Sequence, residues 1–121
     1  MRKLESLVTW KVANQVATAA YRLTMAKPIE RHYALADQIR RASLSIPANM
    51  AEGYALSTRS QLIRCLRIAL GSACELKCHL VRALDLELVR KNDTLDTLNE
   101  SDRLVGLLVG LLKSLGAQTP T

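Results

Sequence analysis

Leu35, Ile39, Ala42, Ile46 and Met50 recur at spacings of 4, 3, 4 and 4. An α-helix turns once in about 3.6 residues, so these five side chains share one face. The register runs unbroken through Pro47, although proline has no amide proton and crowds the turn before it. A helix that stopped at Ser45 would have no reason to keep that register. The pattern therefore predicts a helix over about 31–54 with Pro47 inside it, kinked there. The proline frees the Ser43 carbonyl, and the hydroxyls of Ser43 or Ser45 stand near enough to serve the strained turn. Gly53 reads as the exit, the ordinary place for a glycine at a helix end.

The same period runs through the rest of the chain. A first helix spans about 4–26, with Val8, Val12, Val16, Ala19 and Leu23 on one stripe and Ala13, Ala17, Ala20 and Thr24 on the next. Pro28 then disfavours helical geometry at Lys27. A third helix spans about 58–85 with Ser57 as its N-cap. Its core stripe is Leu62, Leu66, Ala69, Ala73, Leu76 and Leu80, and Arg64, Arg67, Gly71, Glu75, Cys78 and Arg82 fall opposite. A fourth spans about 93–115, capped by Asn92 or Asp93 and stopped by Gly116. Its core is Leu98, Val105, Leu108, Leu112 and Leu115, widened by Leu104 and Leu111. Four such helices with short links predict one domain over 1–121: an all-α, antiparallel, up-down-up-down four-helix bundle.

Composition supports helices over sheets. The chain is 49% hydrophobic but 3% aromatic, with no Phe. The apolar surface also exceeds what one bundle needs. The fourth helix is apolar around far more than one stripe, the first carries two stripes, and the second has a further face of Tyr33, Leu44, Pro47, Ala48 and Ala51. Surplus of this size predicts a homo-oligomer. "LVGLLVGLL" is too short to cross a bilayer. Gly106 and Gly110 share a stripe with Asp96, Asn99 and Arg103, which does not suit a membrane dimer seam. The N-terminus has no apolar leader, and three cysteines form an odd set, so free thiols and a cytoplasmic protein are expected.

"QIRRASLSIPANMAEG", Gln38 to Gly53, resembles the signature of the four-helix-bundle family of the 23S rRNA intervening-sequence proteins. "RSQLIRCLRIALGSACELKCHLVRALDL", with Gly71 and Ser72 followed by Glu75 and Leu76, is similar to that family's third helix. Leu7, Trp10 and Ala13 resemble its opening helix. The motif residues are Arg40, Arg41, Ser45, Pro47, Asn49, Glu52 and Gly53. Met50 stands where Ile is usual, and Lys77 where Glu often stands. The resemblance implies an antiparallel bundle, often assembled as a pentamer. Founding members are encoded in insertions in bacterial large-subunit rRNA genes. A related branch, the accessory variability determinants of diversity-generating retroelements, works as a basic pentamer that binds RNA and a reverse transcriptase.

Charge is the clearest pointer to a partner. The net charge is +6, with 11 Arg among the 17 basic residues. A basic chain suits an anionic partner such as RNA or DNA. Lys11, Arg22, Arg64, Arg67 and Arg82 fall on outer faces and, with Arg41, are the nucleic-acid candidates. A solvated charged face is the plainer reading of each. The second-helix stripe of Gln38, Arg41, Ser45, Asn49 and Glu52 reads as residues satisfying one another and the start of the third helix. Its functional reading puts Arg41 on a phosphate or a partner carboxylate. Cys74 and Cys78 lack the two further ligands a tetrahedral metal needs, His79 points away from them, and His32 and His79 read as surface histidines. No phosphate loop or nucleophile motif appears. The chain is expected to be non-enzymatic, without cofactor or metal. Beside nucleic-acid binding stand two rivals: a protein-interaction scaffold, such as a reverse-transcriptase accessory subunit, and a structural oligomer.

Overall fold

The computed structural model describes residues 3–56 and 58–118. It has four α-helices: α1 (Lys3–Leu23), α2 (Tyr33–Ala55), α3 (Arg59–Asp85) and α4 (Lys91–Ser114), with a 3-10 turn at Ile29–Arg31. There is no strand among the described residues. Each of α1 and α3 packs on both α2 and α4, so α1 and α3 occupy opposite corners of a square bundle. Along α2 and α3 Gly53 meets Cys65 while Ser45 meets Ser72, and along α3 and α4 Arg59 meets Leu115 while Lys77 meets Asp102, so these neighbours run antiparallel.

The ends differ from the sequence expectations for local reasons. α1 stops at Leu23, before Ala26. The buried Thr24 turns its hydroxyl onto the Tyr21 carbonyl at 2.6 Å, and the last turn tightens. α2 starts at Tyr33 because Ile29 is buried in the preceding 3-10 turn. α3 is capped by Thr58, whose Oγ1 accepts from the Gln61 amide at 3.2 Å; Ser57, the expected cap, lies outside the described residues. α4 starts at Lys91, and neither Asn92 nor Asp93 is its N-cap. Extended Arg90 holds that position without a side-chain bond, and Asp93 sits in the first turn, where its charge complements the helix dipole. α3 ends in a Schellman-type turn: the Leu88 amide donates to Ala83 O at 3.0 Å across Glu87, which has φ 56°.

Gly53 is the main correction in α2. It does not end the helix; it is buried two residues inside it. A Cβ placed there would lie 2.8 Å from Cys65 Cβ and 3.1 Å from Leu62 Cδ1. Glycine is required because α2 and α3 approach so closely. Pro47 does lie within α2, half-buried, and the Ser43 hydroxyl bonds the Arg40 carbonyl at 2.9 Å.

The core is aliphatic: Ile29, Ile39, Ile46, Met50, Leu66, Leu76, Leu80, Leu104 and Leu108 are fully buried. In α4 the buried stripe is Thr94, Thr97, Ser101, Leu104, Leu108, Leu111 and Leu112, while Leu98, Val105 and Leu115 are only partly buried. The threonines are easily missed by hydropathy. Thr94 and Thr97 give their hydroxyls to Arg90 O (2.7 Å) and Asp93 O (3.0 Å), so they pack as branched apolar groups. The second stripe of α1 also turns inward, since Ala13, Ala17 and Ala20 are buried within the single chain. Large apolar side chains remain exposed on every helix, Leu4 and Leu7 on α1, Tyr33 and Leu44 on α2, Ile68 and Val81 on α3 and Leu95 on α4, and Ala48 and Ala51 are exposed on α2 as well. No described helix is long and apolar enough to cross a membrane.

Candidate nucleic-acid interface

The motif on α2 is largely a device for packing helices. Arg40 Nε donates to Thr24 Oγ1 at 2.8 Å, and its guanidinium carbon lies 5.0 Å from the centre of the Tyr21 ring. It therefore ties α2 to the end of α1. Ser45 Oγ and Ser72 Oγ are 2.8 Å apart, bridging α2 and α3. Asn49 Nδ2 donates to Ser45 O (2.8 Å) and Ser45 Oγ (3.0 Å). Glu52 reaches Arg64, near the start of α3, at 3.9 Å. Arg41 departs from the expected stripe. It does not meet Asn49 or Glu52 but bonds Asp37, one turn earlier, at 2.9 Å. Its side chain is 75% exposed, so this pair contributes little.

The six basic candidates do not form one patch. Lys11 and Arg22 are exposed on α1, while Arg64, Arg67 and Arg82 are exposed on α3 at the opposite corner. Arg41 lies on α2 between them. Two of the α3 arginines already have partners. Arg64 Nε donates to Gln61 Oε1 at 3.0 Å, besides its contact with Glu52. Arg67 Nη2 donates to Gln118 O at 3.2 Å. Lys11, Arg22 and Arg82 make no side-chain ion pair or hydrogen bond among the described residues.

A second cationic group adjoins Arg22. Arg22, Leu23, Arg90, Asp93 and Asp96 line an open groove of about 410 Å³ between α1 and the start of α4. Arg90 falls in a link and on no periodic face, so helical projection passes over it; the adjacent pair Arg90–Lys91 was the available signal. Asp93 and Asp96 oppose the cations there, which weakens the groove as a phosphate site. Arg59 and Lys77 are also committed: Arg59 Nη2 donates to Leu115 O, and Lys77 pairs with Asp102. That pairing raises the Lys77 pKa above its ordinary value, against the opposing effect of desolvation.

The remaining candidate chemistry is sparse. Cys65 is buried, whereas Cys74 and Cys78 are exposed. His79 Nε2 faces Glu75 Oε1 at 3.3 Å. Among the described residues no three His, Cys, Asp or Glu side chains gather in a way that could hold a metal ion. Gly106 and Gly110 are exposed, and a Cβ on either would meet nothing within 4 Å beyond its chain neighbours and its own helix backbone.

No curated protein matches the chain. A crystal structure of a protein of unknown function from the S23 ribosomal protein family, from Bacteroides thetaiotaomicron VPI-5482, has a TM-score of 0.81 to this chain. The two are 23% identical, over 90% of this chain and 98% of that one, a likeness of fold. The family model described as 23S rRNA-intervening sequence protein matches residues 5–110. With four helices in the expected order, a motif that locks α2 to α3, and a match over most of its length, the chain belongs to the 23S rRNA-intervening sequence protein family.

Proposed function

We propose that the protein is a non-enzymatic, self-associating bundle that binds the backbone of RNA or DNA through the outer faces of α1 and α3. The observation that carries this reading is the set Lys11, Arg22 and Arg82. These cations face solvent with no ion pair or side-chain hydrogen bond among the described residues, on a chain of net charge +6. Cations committed to internal pairs would be neutralised; these three make no such pair among the described residues, although Asp93 and Asp96 share the groove of Arg22. α3 contains no Phe, Tyr or Trp, so its arginines have no such ring beside them on which bases could stack. Contact with phosphates is the chemistry left, and it tolerates any sequence. One chain offers two separated small patches. Self-association repeats them and raises the local potential. The exposed α2 face of Tyr33, Leu44, Ala48 and Ala51 supports such association, and five copies is the number the family resemblance implies.

A second reading, a protein-interaction scaffold, draws on the same α2 face. The two separate by charge reversal. Fluorescence anisotropy with a structured RNA should show Arg22→Glu and Arg82→Glu each weakening binding several-fold, with helix content unchanged. Arg41→Glu, whose parent residue already faces Asp37, should weaken it less. Equal affinity in all three variants and the parent would remove the nucleic-acid reading and favour the scaffold.

A further inference from the structure

Cys74 and Cys78 are both exposed on α3 and lie one helical turn apart. Residues four apart on a helix hold their Cβ atoms about 5–6 Å from each other. A disulfide needs about 3.5–4.5 Å, so these thiols do not close on each other while the helix stays intact. The gap suits a single atom held between two sulfurs, with metal–sulfur bonds of about 2.3 Å. Lys77 lies between the two cysteines in sequence, and its ammonium is fixed by Asp102 of α4. Glu75 is turned to His79, and among the described residues no third ligand joins the pair. Tetrahedral zinc is therefore poorly served, but a soft centre that needs only two thiolates is well served.

We propose that Cys74 and Cys78 form a two-thiol site for a soft, low-coordinate centre of the trivalent arsenic class. With a monosubstituted arsenical as the oxide, two As–S bonds form and two S–H bonds break. The oxide oxygen leaves with both protons as water. Arsenic stays trivalent, so no oxidant or reductant is needed.

The test uses the full-length reduced protein and phenylarsine oxide, followed by intact mass spectrometry under denaturing conditions and by competition with a monothiol. The expected product is one arsenical bridging two sulfurs within one chain. Cys74→Ser and Cys78→Ser should each release it at about a hundredfold lower competitor, because the second attachment is lost. Cys65→Ser, or Cys65→Ala should the serine disturb the core, should hold it as firmly as the parent. Three results would overturn the proposal: equal retention in the Cys74 and Cys78 variants, loss on changing Cys65 in a protein that circular dichroism shows folded, or an arsenical joining two chains.

Discussion

Gly53 of α2 faces Cys65 of α3 so closely that a Cβ on the glycine would lie 2.8 Å from the cysteine Cβ. A Cβ cannot rotate away as a side-chain tip can, so the helices would have to part. Gly53→Ala should therefore destabilise the fold by about 1–3 kcal/mol, the usual cost of overpacking. Chemical denaturation measures it. Cys65→Ala should not rescue this variant, because alanine keeps the Cβ. Cys65→Gly in the Gly53→Ala background should recover part of the loss. Rescue by alanine would mean that the sulfur, not the close approach, sets the requirement.

Ser101 is fully buried in α4, and its Oγ has no hydrogen-bond partner among the described residues. Burying an unmatched hydroxyl is costly, and removing it leaves only a small void. Ser101→Ala should raise stability by about 1 kcal/mol. A loss of similar size would show that the hydroxyl bonds something, such as a buried water.

Alkali should weaken the fold through two groups. Pairing with Asp102 raises Lys77 above its ordinary 10.5, and burial raises Tyr54 above its ordinary 10.0 despite the opposing Ser6 bond. Both hold their protons more firmly folded than unfolded. Their stabilisation is complete below those ordinary values and is lost as pH rises through the raised ones. Urea midpoints should be insensitive to these groups from pH 7 to 9 and fall above roughly pH 10. The Lys77 share is small, at most about 1 kcal/mol, because the pair is exposed. The double variant Lys77→Met, Tyr54→Phe should show a shallower alkaline decline. An unchanged decline would assign it to other groups.

The helices and their order were legible in the sequence because apolar spacing directly reports which face is buried. Pro47 lies inside α2 for that reason: Ile46 and Met50 keep register across it and both are buried. Residues whose role depends on a neighbouring helix carry no such signal. Gly53 looks like an ordinary helix stop until Cys65 is set against it. Thr94, Thr97 and Ser101 look polar, yet they line the core, two of them after satisfying their hydroxyls on their own helix. Glu87 takes φ 56° at the end of α3, where a glycine would have announced the turn. The candidate interface was less legible still. Which arginines remain unpaired depends on Gln61, Glu52 and the Gln118 carbonyl, none of which spacing alone reveals.

The central claim is that unpaired cations on α1 and α3 meet a nucleic-acid backbone, and its most direct test is the salt dependence of RNA binding. The affinity of the parent protein for structured and single-stranded probes is measured by anisotropy from 50 to 200 mM salt. Each phosphate neutralised releases a counterion, so affinity should fall by about tenfold or more across that range, similarly for unrelated sequences. Arg22→Glu and Arg82→Glu should each flatten the slope. No binding at 50 mM, or binding indifferent to salt, would contradict the account and leave the +6 charge to solubility or to a protein partner.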